Sequence, residues 1–159
     1  MHLCYPIFKT KNEKGIRMNP VSDIILLGSL QTEFKTIKAM VEIYCKDHHH
    51  PKEPEDTICE NCQAFLDYAE MRLDRCPYGD EKPTCRVCPI HCYKKEQREL
   101  SRTIMRYSGP KMLLKHPILA IRHLLSEKRP IPEQIPENNT NRFKRKQQEK
   151  SNTMNKRAD

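Results

Sequence analysis

The chain has no tryptophan, only four glycines, and hydrophobic residues make up just 36% of its 159 positions, with a mean hydropathy of −0.84. So little apolar material is a poor match for the entropy of ordering the whole chain, so either part of it stays unfolded or something besides a core holds it. Long apolar runs are also missing. Stretches such as Ile24 to Leu27 fall far short of the roughly 20 residues of a membrane span, and lysines interrupt Met1 to Lys14, where a secretory signal would need its apolar segment. A reducing, cytoplasmic setting is the expectation, and there closely spaced cysteines serve metals more often than disulfides. Four glycines leave no room for a glycine-rich phosphate loop. No Ser–His–Asp arrangement or pair of carboxylates in apolar surroundings suggests an enzyme.

What the chain does have is cysteine in a narrow window. Seven of its eight cysteines fall between Cys45 and Cys92, with Cys4 outside. They read Cys45-x₃-His49, Cys59-x₂-Cys62, Cys76 and Cys85-x₂-Cys88-x₃-Cys92. Seven thiols and one histidine make eight ligands, enough for two tetrahedral structural sites. The expected fold class is all-α: a small helical domain of about four helices stapled by two Cys-rich metal sites, with irregular knuckle loops.

Helical periodicity supports this. Phe34, Ile37, Val41, Tyr44 and His48 share one face, and Cys45 and His49 lie one turn apart on the adjoining stripe. Pro51 and Pro54 should end that helix. Thr57 to Glu60 reads as a capping box opening a second helix to about Arg75, with Cys62, Phe65 or Leu66, Ala69, Leu73 and Cys76 on its buried stripe. Pro77 to Asp80 makes a turn. A third helix is expected over 94–107, stopped by Ser108-Gly109-Pro110. Pro117 should open a fourth helix, within an apolar segment that runs to Lys128. Met105, Met112 and the leucines around them are expected in the core, with any leftover apolar surface available for a dimer. These elements divide the chain into a variable arm (1–29, with Met18 an alternative start), a metal-stapled helical domain (30–128) and a basic tail (129–159) expected to be disordered.

The second helix decides how the ligands pair. Fourteen residues of α-helix from Cys62 to Cys76 span roughly 21 Å, too far to share one metal. The first site is then Cys45, His49, Cys59 and Cys62, and the second is Cys76, Cys85, Cys88 and Cys92. His48 remains an alternative to His49, and His91 to Cys92. Zinc, two per chain, suits both ligand sets. An iron–sulfur cluster is the alternative for the all-cysteine set.

Charge is segregated. Residues 36–85 hold 6 Lys and Arg against 11 Asp and Glu, whereas residues 86–128 hold 10 against 3. Lys95, Arg98, Arg102 and Arg106 fall largely on one face of the third helix, a stripe that can track phosphates, with Tyr93 and Tyr107 at its flanks able to stack on bases. The bland alternative is a solvated face paired with Glu96 and Glu99. Partners are therefore nucleic acid or another protein, and the chain is a monomer or homodimer. His116 and His123, seven residues apart, are candidates for a partner surface or an auxiliary ligand, or for ordinary core and surface positions.

The ordered set Tyr44-Cys45, His48-His49, Cys59-Glu-Asn-Cys62, Tyr68-Ala69-Glu70, Arg72-Leu73, Cys76-Pro77-Tyr78-Gly79, Lys82-Pro83-Thr84-Cys85, Cys88-Pro-Ile-His91-Cys92-Tyr93, Met105-Arg106-Tyr107, Gly109-Pro110 and His116-Pro117 resembles the bacterial family named nitrous oxide-stimulated promoter, over roughly residues 36–126. The resemblance implies a small protein tied to the response to nitrogen oxides. It brings no catalytic mechanism with it.

Overall fold

The structure, a computed structural model, describes residues 24–49 and 58–155. In order these form α1 (Gly28–His48), α2 (Glu60–Asp74), a 3₁₀ turn (Gly79–Glu81), α3 (Lys95–Lys115), α4 (Pro117–Glu127) and α5 (Asn141–Asn155), with no strand among the described residues. The fold is all-α, as the periodicities predict, with five helices rather than four.

α1 is the centre. It packs on α2, α3, α4 and the 3₁₀ turn, while α5 lies against α2. Its inward stripe of Leu30, Ile37, Val41 and Cys45 meets Phe65, Leu66, Ala69 and Leu73 of α2 and Ile104 and Met112 of α3, all buried. Each large apolar side chain removed from water contributes about 1.5–3 kcal/mol. This one cluster therefore accounts for how a sequence poor in apolar residues holds α1 to α4 together.

The start of α1 has no local cap. Leu27 occupies the cap position without a side-chain hydrogen bond, and the first turn has no acidic residue. Asp80, from the 3₁₀ turn, supplies the missing acceptor. The Ser29 N–H donates to Asp80 Oδ1 at 3.1 Å, and Ser29 Oγ donates to the Asp80 carbonyl at 2.8 Å. Gly28 makes this approach possible. Its φ is +55°, and a Cβ there would sit 2.5 Å from Asp80 Oδ1.

Four expectations from the sequence need correction. First, α3 does not stop at Ser108-Gly109-Pro110 but runs through Pro110 to Lys115. A proline inside a helix costs about 3 kcal/mol. Tertiary contacts on either side offset this, since Met112 is fully buried and Ser108 Oγ, also fully buried, donates to the Met40 carbonyl at 2.7 Å. Second, the tail carries a helix, α5, that its composition did not suggest. Thr140 Oγ1 accepts the Phe143 N–H at the start of α5. Buried Asn141 donates to Asp74 Oδ1 (2.6 Å) and the Ile25 carbonyl (2.9 Å) and accepts the Leu27 N–H (2.9 Å). Arg145 grips both Asp74 oxygens at 3.2 Å. Third, the residue capping α2 is Cys59, with Glu60 the first helical residue; Thr57, like Pro51 and Pro54, lies outside the described residues. Fourth, Leu113, Leu114, Leu124 and Leu125 are exposed. Of the apolar segment around them, Met112 and Ala120 reach the core, because a two-helix hairpin on one side of α1 can turn only one face inward.

No helix among the described residues is long and apolar enough to cross a membrane.

Candidate metal centre

The end of α1 and the start of α2 face each other, and the first predicted quartet lies between them. Cys45 sits in the last turn of α1. His49 follows the helix, its N–H still bonded to the Cys45 carbonyl at 2.8 Å. Across the gap Cys59 is the extended cap residue of α2 and Cys62 lies in its first turn. The ligand atoms of Cys45, His49, Cys59 and Cys62 all fall within 4.8 Å of one another. His49 Nδ1 is 3.1 Å from Cys59 Sγ and 3.3 Å from Cys62 Sγ. Tetrahedral zinc with Zn–S near 2.3 Å and Zn–N near 2.0–2.1 Å has S···N edges of roughly 3.5 Å, so the four donors stand close to the size of that polyhedron.

Two further details fit a cation. The Cys59 N–H points at Cys45 Sγ at 3.3 Å, a donor that favours thiolate. Burial, with the Cys59 sulfur close by, pushes the Cys45 thiol up despite the lowering contacts of the Cys59 N–H and Cys62; burial and the other two sulfurs push Cys62 up more strongly. Cys45 and Cys62, so packed, resist losing their protons unless a positive charge is placed beside them, which a divalent ion supplies. The ligand set of three sulfurs and one imidazole suits zinc.

Of the two neighbouring histidines, His49 is the one gathered with the three cysteines. His48 turns away, its ring 4.4 Å from those of both Tyr44 and Tyr107, while Tyr44 meets the His49 ring edge-on at 5.7 Å. Tyr44 therefore packs against both rings and helps orient His49. Sequence periodicity gave no sign of this aromatic support.

The second quartet is placed differently. Cys76 and Cys88 are buried and pack with Tyr78, while Cys85 and Cys92 are half-buried. The Thr84 carbonyl accepts N–H groups from Val87 (3.1 Å) and Cys88 (3.0 Å), giving the tight turn expected of a knuckle. Arg72 donates to the Cys92 carbonyl and ties the loop to α2. Burial pushes the Cys76 and Cys85 thiols up. Among the described residues, however, no second group of three or more ligand-type side chains gathers as closely as the first. His91, the alternative to Cys92, is exposed, with φ at 45°. All seven cysteines of the window are free of disulfides.

The basic stripe is less favourable than its spacing suggests. Lys95, Arg102 and Arg106 are exposed, but Arg98 is half-buried with its Nε enclosed, and Arg102 pairs with Glu99 at 2.8 Å. The two flanking rings are occupied. Tyr93 packs edge-on against Phe65 and Tyr68. Tyr107 donates to Asp47 Oδ2 at 3.0 Å and stacks with Tyr44, His48 and Lys111. The expected aromatic platforms for bases are thus turned into the protein.

No solved structure matches the chain. A family model described as nitrous oxide-stimulated promoter matches residues 28–136. The uncharacterized protein YgbA of Escherichia coli strain K12 is 46% identical over 109 residues, covering 68% of this chain and 88% of that protein. The matched span runs from the first residue of α1 to just beyond α4 and includes both quartets, so the chain belongs to the nitrous oxide-stimulated promoter family.

Proposed function

We propose that this protein is a cytoplasmic zinc-binding component of the response to nitric oxide and nitrosative stress, and that its cysteine sites react with nitrogen oxides. The observation that carries the reading is the convergence of Cys45, His49, Cys59 and Cys62 at the α1–α2 junction; the family supplies the link to nitrogen oxides. Cys76, Cys85, Cys88 and Cys92 are the second site of this reading, with an iron–sulfur cluster as its alternative occupant.

A bound metal would hold the thiols as thiolates, the nucleophilic form of cysteine. Accessibility then ranks the sulfurs. Cys45 and Cys62 are 1% and 4% exposed, whereas Cys59 is half-buried and lies beside exposed His49. Within this quartet Cys59 is therefore the sulfur a dissolved nitrosating agent reaches first. With dinitrogen trioxide its electron pair forms the S–N bond, the N–N bond breaks and nitrite leaves. The resulting S-nitrosothiol is a poor ligand, and α1 and α2 lose one of the links between their ends.

The test is elemental analysis and absorption spectroscopy on anaerobically purified protein, followed by a nitric oxide donor under limited oxygen. The reading expects two zinc per chain, no visible absorption, release of zinc and, by mass spectrometry, S-nitrosation at Cys59 before Cys45 and Cys62. Iron with acid-labile sulfide would move the second site to a cluster. Metal retained at low-micromolar donor with an unchanged circular dichroism spectrum would remove the reactive role and leave the sites structural.

A further inference from the structure

Away from both quartets, the first two turns of α1, the loop at Lys82–Thr84 and the end of α4 enclose a pocket of about 70 Å³. One water needs roughly 10–15 Å³ on this measure, so the space suits a small group of four or five heavy atoms. At its wall Lys82 and Glu33 form a largely buried ion pair at 3.2 Å. Each neutralises the other. The remaining full charges of the lining are two guanidiniums, Arg122 and Arg129, both solvent-exposed.

Two polar atoms of the lining have no hydrogen-bond partner among the described residues although both are buried: Thr84 Oγ1 and His123 Nδ1. Thr84 is only 3% exposed. His123 Nδ1 stands 4.0 Å from Glu33 Oε2, beyond hydrogen-bond reach. Buried polar groups without partners are costly and uncommon, and two around one pocket indicate a shared partner. Three of the neighbouring hydroxyls are already engaged, Ser29 with Asp80, Thr36 with the Thr32 carbonyl and Ser126 with the His123 carbonyl, and Thr32 also lines the space.

We infer that this pocket binds a small inorganic oxyanion, held by the Thr84 hydroxyl and His123 Nδ1–H inside and by Arg122 and Arg129 at the mouth. Hydrogen-bond donors with a net positive lining are the chemistry that recognises phosphate, sulfate or nitrate. The inference does not depend on the metal reading. It uses none of the eight ligand residues.

The test is titration of the full-length protein with inorganic phosphate, sulfate and nitrate in low-salt buffer, followed by calorimetry and by amide chemical shifts. At least one anion should bind saturably, one per chain, with shifts centred on Thr84 and α4; whether a tetrahedral or a planar anion wins gives the geometry of the site. Thr84→Val and the double variant Arg122→Gln/Arg129→Gln should each weaken binding about tenfold or more. Lys95→Gln/Arg102→Gln, on exposed residues of α3, should leave it unchanged. Absence of saturable binding overturns the inference. So does equal weakening by the α3 pair, which would mean general charge attraction, or full affinity in the arginine pair. Should Thr84→Val not fold, the exposed arginine pair decides alone, with metal content measured alongside to confirm an intact scaffold.

Discussion

The Cys45–Cys62 and Cys76–Cys92 quartets have the same number of ligand-type residues, but different backbone brings them together. In the first, Cys45 and Cys62 sit in helices, Cys59 caps α2 and His49 continues the hydrogen bonding of α1. Helix ends packed through Val41, Phe65 and Ala69 fix the donors in advance. In the second, four cysteines are strung along a 3₁₀ turn and a knuckle, held by single bonds such as Arg72 to Cys92 and by the turn at Thr84. Helix packing preorganises a site without help from a metal, whereas a loop needs the metal itself to close.

That difference is broken most directly by removing metal. Chelation under reducing conditions should cost several kcal/mol of folding free energy, and unevenly. Hydrogen exchange should show residues 76–94 losing protection while the α1–α3 contact keeps most of its own; uniform loss would erase the contrast. Next in size is Gly79→Ala. Gly79 has φ +53° and its missing Cβ faces the Asn139 carbonyl, so the substitution should destabilise by about 2 kcal/mol and free the second region from the segment leading to α5, read as a lower midpoint in urea. A control away from both quartets is Gly109→Ala. Apart from its chain neighbours nothing lies within 4 Å of its added Cβ inside α3, but the clash of a Cβ with the ring of the following Pro110 opposes the propensity gain of up to about 1 kcal/mol, so a net change within about 0.5 kcal/mol is expected, with metal content unchanged.

The smallest effect is electrostatic. Burial pushes the Asp80 carboxyl up, but Lys144 at 2.8 Å and the Ser29 N–H outweigh it and hold it below the ordinary value of 3.8. A depressed folded-state value contributes stability that is complete above the unfolded value and is lost as pH falls through the folded one. With Asp80 40% exposed, solvent screening leaves about 0.5 kcal/mol. Asp80→Asn should thus be slightly less stable than the parent at pH 7 and indistinguishable from it at about pH 2, measured by urea denaturation.

The three cysteines of the first quartet were legible from spacing, because a helical Cys45 and a CxxC at the start of the next helix leave little freedom, whereas spacing left His48 and His49 open. The separation of the two quartets was legible too, since α2 is rigid. Long-range contacts were not legible. Pro110 reads locally as a stop, and only the burial of Ser108 and Met112 overrides it. The 129–159 segment reads as a solvated tail, and only Asp74, 67 and 71 residues earlier in the chain, turns Asn141 and Arg145 into anchors. Asp80 capping α1 from 51 residues away is of the same kind. Periodicity reports what a residue does within its own helix, not what it meets from another.

The central claim is that the α1–α2 junction is a metal site in its own right. Native mass spectrometry of the parent, Cys62→Ser and Cys88→Ser, each purified anaerobically, tests it most directly. The account predicts two zinc ions in the parent and one in each variant, the ion left in Cys62→Ser being held by Cys76, Cys85, Cys88 and Cys92. A Cys62→Ser protein that keeps the full metal content of the parent would contradict it.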